Sequence, residues 1–129
     1  MKKQLALRAR AAWHFGSGPE YCRGCAAIAR DCGDSCPYSQ HAPLSIEAHA
    51  CWAAGTACAE ASIAGITLPF THALAAAREV GASGWAASEM LMAIGIGMAE
   101  GSTERNASAS GPCSEGAQSS GVQGSGRVC

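Results

Sequence analysis

The stretch Trp85-Ala-Ala-Ser-Glu-Met-Leu-Met-Ala-Ile-Gly-Ile-Gly-Met-Ala99 decides the fold. Its large apolar residues lie on every side of a helix, and such a helix is buried in a core or an interface. It has about 15 residues and contains Glu89, so it is too short and too polar to cross a membrane. Ala93, Gly97 and Gly101 are small residues at four-residue spacing, which permits close approach of another helix. We expect helix 85–99 to pack in the core or to form a homo-oligomer.

Working outward, the alanine-rich segment before it predicts a second helix, from about residue 46 to residue 63. Pro43 precedes it and Ser45 is placed as its N-cap. Cys51 and Cys58 are seven positions apart in this helix, roughly 10 Å along its axis. A disulfide needs Cα atoms within about 7 Å, so we expect these two cysteines to be separate core thiols.

A third helix is predicted between these two. Thr67 is a candidate cap and Pro69 is tolerated in a first turn. An apolar stripe follows at helical spacing: Phe70, Leu74, Ala77 and Val80. Gly81 and Gly84 then end this helix before the next one begins.

The N-terminal segment is basic, with Lys2, Lys3, Arg8 and Arg10 around two leucines. A secretory signal needs at least about seven uninterrupted apolar residues, and this segment has no such run, so we expect a cytoplasmic protein with reduced thiols. Residues 2–13 predict a short helix with a solvated face. Two glycines and a proline between His14 and Pro19 then end this helix.

The chain outside these helices carries a cysteine cluster. Cys22, Cys25, Cys32 and Cys36 have two, six and three residues between them. Short spacing lets one turn aim two thiolates at one ion, and both tetrahedral zinc and a [4Fe–4S] cluster accept four cysteines. We expect these four residues to bind an iron–sulfur cluster or zinc, in preference to a disulfide pair or four unbound thiols.

The same cluster resembles a known segment. Cys22-Arg-Gly-Cys25 and Cys32-Gly-Asp-Ser-Cys36-Pro-Tyr38 are similar to the closing cysteine run of SPASM domains, the auxiliary regions of radical-SAM enzymes. The resemblance implies that Cys22, Cys25, Cys32 and Cys36 hold a [4Fe–4S] centre. It covers residues 19–38 only, and no radical-SAM motif C-x3-C-x2-C is present.

The helical half resembles a second family. His72-Ala-Leu-Ala-Ala-Ala-Arg-Glu-Val-Gly81 is similar to the stretch after the active-site histidine of carboxymuconolactone decarboxylases and alkylhydroperoxidase D-like proteins. Cys36-Pro-Tyr-Ser39 resembles their C-P-Y-C motif with serine in the last position, and Ser45-Ile-Glu-Ala-His49 resembles the residues leading to that histidine. This resemblance implies a helical, oligomeric protein with thiol chemistry.

Composition limits the remaining choices. The formal charge of −1 gives no broad electrostatic case for a nucleic-acid or membrane partner. From residue 101 onward glycine and serine dominate, which predicts a disordered tail that includes Cys113 and Cys129. Aromatic residues are only 5 % of the chain, so a metal or a partner subunit would help to stabilise its small core.

These observations predict a mainly α protein, a small helical bundle or hairpin. We expect a basic helix and turn over 1–18, a cysteine-rich metal-binding loop over 19–43, a helical domain over 44–100 and the tail over 101–129. The first functional hypothesis is a small metal-binding protein in electron transfer, cluster handling or recognition of a protein partner. The second is a thiol oxidoreductase or peroxidase of the alkylhydroperoxidase D-like class with Cys22 and Cys25 as its redox pair. The third is a peptide precursor with a folded leader and a modified tail.

Overall fold

The computed structural model describes residues 2–28 and 33–110, and the protein is mainly helical, as the sequence predicts. Its helices and strands, in chain order, are α1 (Lys2–Phe15), α2 (Gly18–Ala27), a 3-10 turn (Gly33–Ser35), α3 (Pro37–Gln40), α4 (Ile46–Cys58), β1 (Glu60–Ser62), β2 (Gly65–Thr67), α5 (Phe70–Glu79) and α6 (Gly84–Ala109).

Helices α1 and α6 form the most extensive packing in the fold. They approach closely because small residues meet: a Cβ on Gly97 would lie 2.2 Å from the Arg8 carbonyl oxygen, and one on Gly101 would lie 2.4 Å from the Ala12 oxygen. This confirms that the small residues of α6 admit another helix. Helices α1 and α6 run in the same direction. Gln4, near the start of α1, bonds to Glu89 near the start of α6, and Gly16, just after α1, bonds to Arg105 near the end of α6.

Helix α1 contributes more to the core than its sequence predicts. Residues 2–13 were expected to form a short helix with a solvated face, but α1 runs to Phe15 and buries Leu7, Arg10 and Ala11. The correction follows from spacing, because Leu7 and Ala11 are four residues apart and lie on one face. That face packs on the glycines of α6.

The rest of the core lies between α4, α5 and α6. Its largest fully buried side chains there are Cys51, Leu91, Ile94 and Met98. Cys51 is a buried core thiol, as predicted, and Cys58 is half-buried and also free. In α5 the buried residues are Ala73 and Ala77, whereas Phe70 and Val80 are exposed, so only part of the predicted stripe faces the core.

The helix predicted over 46–63 begins as expected and ends early. Ser45 Oγ accepts a hydrogen bond from the Ala48 N–H at 3.1 Å, which confirms the cap. The helix ends at Cys58 because strands β1 and β2 pair antiparallel, with Glu60 opposite Thr67. Thr67 therefore lies in a strand and does not cap α5. The hairpin is held to α6 by Ser102 Oγ, which accepts from the Ile66 N–H at 3.0 Å.

The expected boundary between helix and tail also differs from the structure. Helix α6 continues to Ala109, past the expected start of the tail at 101, because Gly101 and Ser102 are buried against other elements. Residues 111–129, with Cys113 and Cys129, lie outside the described residues.

Within the described ranges, no helix combines the length and apolar character that a membrane span requires.

Candidate thiol site

The segment expected to be a loop, residues 19–43, is largely helical over its described part. Gly18 and Pro19 begin α2, where proline suits the first turn since its missing N–H needs no partner there. Cys22 and Cys25 therefore lie on a helix, three positions apart. Cys36 precedes α3 as its N-cap residue, and Pro37 is the first residue of that helix.

The fold brings Cys22 and Cys36 together. Their thiols lie close enough for each to shift the pKa of the other, although fourteen positions separate them in the chain. Both are free cysteines. Cys22 is exposed to solvent, whereas Cys36 is only 9 % exposed. The site is thus a pair of unlike thiols, one outer and one inner.

The inner thiol is stabilised as a thiolate. The backbone N–H groups of Ser39 and Tyr38 lower the pKa of Cys36, and the Ser39 hydroxyl and the Cys22 thiol add to this, although desolvation opposes it. Hydrogen bonds to the charged form of a group favour that form. The turn Cys36-Pro37-Tyr38-Ser39 therefore favours the thiolate form of Cys36.

The outer thiol is shifted the other way. Desolvation raises the pKa of Cys22, and the charges of Cys36 and Cys25 raise it further. The indole of Trp13 acts in the opposite direction on Cys22. Trp13 Nε1 is buried without a hydrogen-bond partner in the described structure, so its effect on Cys22 acts from beyond hydrogen-bond distance. Cys36 is therefore the more acidic of the two thiols, and the first proton that the pair loses comes from Cys36.

A cleft opens beside the outer thiol. This thiol cleft has a volume of about 210 Å³. It is lined by Trp13, His14, Gly18, Pro19, Cys22 and Tyr38. Burial lowers the pKa of His14, and the cations Arg10 and Arg105 lower it further, so His14 is neutral at pH 7. A molecule in the thiol cleft would reach the Cys22 sulfur between uncharged walls.

Arg10 supports the turn that holds Cys36. It is only 8 % exposed, and its guanidinium carbon lies 3.5 Å from the centre of the Tyr38 ring and 4.9 Å from that of Trp52. Its Nη1 donates to the Tyr38 carbonyl oxygen. His14 adds edge-on contact with Trp52 and lies 5.8 Å from the Tyr38 ring. One cation and three rings thereby fix the backbone beside Cys36.

The four-cysteine site is brought together only in part. Cys25 is close enough to Cys22 to raise its pKa, and it is half-buried. Cys32 lies outside the described residues. Over residues 2–28 and 33–110, no group of three or more cysteine, histidine or acidic side chains is placed to hold a metal ion. Binding of iron–sulfur or zinc by Cys22, Cys25, Cys32 and Cys36 therefore stays a prediction.

Sequence reasoning missed several residues of this site. It paired Cys22 with Cys25, since their spacing is short, whereas the structure pairs Cys22 with Cys36. Arg10, Trp13 and Tyr38 were not singled out either. The signal for Arg10 was its spacing of three from Leu7, which places it beside the buried face of α1.

Comparisons with known proteins add no assignment. The chain matches no protein-family model, no curated protein sequence and no solved structure. The two family resemblances stated above stay predictions.

Proposed function

We propose that the protein is a thiol–disulfide oxidoreductase whose redox pair is Cys22 and Cys36. The observation that supports it is the proximity of these two free thiols, each of which shifts the pKa of the other, with Cys22 exposed beside a cleft and Cys36 buried. A disulfide bond of about 2.05 Å would join the two sulfurs in the oxidised protein. This replaces Cys25 by Cys36 in the redox pair expected from spacing.

The unlike environments assign each sulfur a role. In the oxidised protein a substrate thiolate attacks the exposed Cys22 sulfur, which forms a substrate–Cys22 mixed disulfide and breaks the Cys22–Cys36 bond. Cys36 leaves as a thiolate, and a leaving thiol of lower pKa leaves faster. A second substrate thiolate then attacks the mixed disulfide, releases the substrate disulfide and leaves Cys22 as a thiolate that takes up a proton. Two electrons pass from two substrate thiols to the protein.

The same chemistry sets the direction of the reaction. A stabilised Cys36 thiolate favours the reduced protein, and a disulfide whose reduced form is stabilised is an oxidant. The pair is restored when an external disulfide accepts the two electrons: the Cys36 thiolate and the Cys22 thiol become a disulfide, and two small thiols are released.

The test is a redox titration with mapping of the disulfide formed. Reduced protein equilibrated with hydroxyethyl disulfide should lose two hydrogens and yield one cross-linked peptide that joins Cys22 to Cys36. Cys36→Ser should accumulate a mixed disulfide on Cys22, because no thiolate remains to release the substrate half. Cys25→Ser and Cys32→Ser are the matched controls and should form the bond normally. A cross-link that contains Cys25, or loss of the bond in Cys25→Ser, overturns the proposal.

Metal binding is kept as a second proposal. Its support is that Cys25 and Cys36 both lie near enough to Cys22 to raise its pKa, and that Cys32 lies between Cys25 and Cys36 in sequence. A four-thiolate site would hold either zinc or a [4Fe–4S] cluster. Metal analysis with the Cys32→Ser control separates the two proposals, because the dithiol needs only Cys22 and Cys36.

We further propose that a second copy of the chain docks on the groove between α1 and α6. This groove encloses about 670 Å³. It is lined by Gln4, Leu5, Arg8, Trp85, Glu89, Met92, Ala93 and Ile96. Trp85, Met92 and Ile96 are 78 %, 57 % and 45 % exposed, so helix 85–99 is buried on one side only.

Charge complementarity favours a second copy as the occupant of this groove. Arg8 lies at the Ile96 end, where it pairs with Glu100, whereas Glu89 lies at the Trp85 end. An antiparallel two-fold arrangement would place Arg8 of one copy opposite Glu89 of the other, twice. Isologous interfaces repeat each contact in this way.

A further inference from the structure

The walls of the thiol cleft carry no net charge. Apart from Cys22, the lining residues are two aromatic side chains, a neutral histidine, a glycine and a proline. The acidic residue closest in sequence to the lining is Glu20, which is exposed and not among the lining residues. No charged side chain lies on the walls to pair directly with a charged substrate group, whereas the rings of Trp13 and Tyr38 offer apolar area to an apolar one.

The cleft is also shaped before any substrate binds. A Cβ on Gly18 would lie 2.6 Å from Trp13 Cδ1 and Nε1 and 2.4 Å from the Trp13 carbonyl oxygen. Glycine at this position lets the indole lie against the start of α2. On its other side the Trp13 ring meets Tyr21 edge-on at 5.4 Å. The indole wall is therefore fixed from two directions.

We infer that the thiol cleft takes an uncharged apolar thiol, aromatic or branched aliphatic, as the substrate that reacts at Cys22; this rests on the proposed redox function. Drug-sized sites enclose about 300–1,000 Å³. The thiol cleft, at about 210 Å³, instead suits a single group the size of an amino-acid side chain. Aromatic rings prefer the edge-on and offset contacts that Trp13 and Tyr38 offer.

The experiment compares thiols that differ in their apolar group. Protein oxidised to the Cys22–Cys36 disulfide is mixed with benzyl mercaptan or with 2-mercaptoethanol, two uncharged thiols of similar acidity, and reduction is followed by mass. Rates are divided by those of the same thiols with a free small disulfide. We expect benzyl mercaptan to react roughly tenfold faster on this scale, because its ring is buried in the cleft. Equal normalised rates would overturn the inference.

Two variants of one wall residue sharpen the test. Pro19→Glu and Pro19→Lys place opposite charges on the cleft at a position where α2 tolerates other residues. Both should remove most of the advantage of benzyl mercaptan over 2-mercaptoethanol, measured as the ratio of their two rates with the same variant. Relative to 2-mercaptoethanol, thioglycolate, which carries an additional carboxylate, should be slowed by Pro19→Glu and accelerated by Pro19→Lys. Ser17→Glu, exposed and outside the lining, is the control and should change neither ratio.

The outcomes separate this inference from the function on which it rests. If Cys22 and Cys36 form no disulfide, or no thiol reduces it, the redox proposal fails. If all thiols reduce it at equal normalised rates, or the Pro19 variants leave the benzyl advantage intact, only the substrate class fails.

Discussion

The guanidinium of Arg10 stacks on the ring of Tyr38, 3.5 Å from its centre, and donates to the carbonyl oxygen of the same residue. Ring and carbonyl are thereby held by one buried cation. The N–H of Tyr38 is one of the groups that lower the pKa of Cys36. Arg10 thus acts on the inner thiol through the turn and is a positioning residue.

Replacing Arg10 by lysine should raise the pKa of Cys36. A lysine keeps the charge but loses the planar contact with the ring and the directed N–H, so the two residues are not equivalent at a stacked site. The rate at which iodoacetamide labels Cys36, followed by peptide mass against pH, should shift to higher pH. At pH 7 we expect labelling to fall roughly tenfold, which is the effect of about one pKa unit.

Arg105→Lys is the matched control for this variant. Arg105 donates to the Gly16 carbonyl oxygen at 2.9 Å and, like Arg10, lowers the pKa of His14, but no contact joins it to Tyr38 in the described structure. Its labelling profile for Cys36 should match that of the unaltered protein. An unchanged profile in Arg10→Lys would show that the turn holds its shape alone.

Gly97→Ala should strongly destabilise the fold. The added methyl would lie 2.2 Å from the Arg8 carbonyl oxygen and 2.8 Å from the Ala11 Cβ, and helix backbone cannot move aside as a flexible side chain can. We expect a loss of about 3 kcal/mol in the free energy of unfolding, at the upper end of the usual range for overpacking. Urea denaturation followed by circular dichroism measures it.

Gly95→Ala gives the contrast within the same helix. A Cβ there would meet only Leu68, at 3.7 Å, which is ordinary contact. Alanine is the better helix former by about 1 kcal/mol, so this variant should be as stable as the unaltered protein or more so. If both variants behaved alike, the close packing of α1 on α6 would be wrong.

Met92→Glu should dissociate the proposed dimer. It places a charge in the middle of the exposed stripe of α6, where the second copy would bury it unpaired. Sedimentation velocity should show a dimer for the unaltered chain and a monomer for the variant, with the same circular dichroism. Val80→Glu, at an exposed site on α5 outside the groove, should remain dimeric. A monomeric unaltered chain at high concentration contradicts the docking proposal.

The four-cysteine prediction has its own measurement. Protein purified without oxygen should be brown and contain iron and sulfide if a [4Fe–4S] cluster binds, or colourless with one zinc per chain if zinc binds. Cys32→Ser should remove either metal, since three thiolates leave a coordination position open. Metal-free protein that forms the Cys22–Cys36 bond would leave the dithiol as the function of this site.

The helical class, the cap at Ser45 and the close approach at Gly97 could be read from the sequence, because caps and small-residue spacing are local signals. The hairpin at 60–67 could not be read in this way: Ile66 and Thr67 favour a strand, but Glu60-Ala61-Ser62 does not, and three residues are too few for an alternating pattern. What fixes it is Ser102, a residue 36 positions from Ile66 that accepts its N–H. Local patterns do not contain a contact of that range.

In the candidate site too, local features could be predicted from the sequence and long-range contacts could not. The cluster of cysteines was visible, but short spacing favoured Cys22 with Cys25, and the contact with Cys36 depends on how α2 and α3 meet α1. Arg10 was interpreted as part of a basic, solvated N-terminus, because charge alone suggests exposure. Its burial depends on Tyr38 and Trp52, two rings that stack on it from other elements.

The hydrogen bond from Arg105 to the Gly16 oxygen fixes where the thiol cleft stands relative to the groove. It holds the corner between α1 and α2 at the late half of α6, thirteen residues beyond Met92. At 1.5 Å per residue this is roughly 20 Å along the helix axis. Two copies joined through their grooves would therefore keep both clefts open. The assembly would be bivalent, with two reactive sulfurs available to one large substrate at the same time.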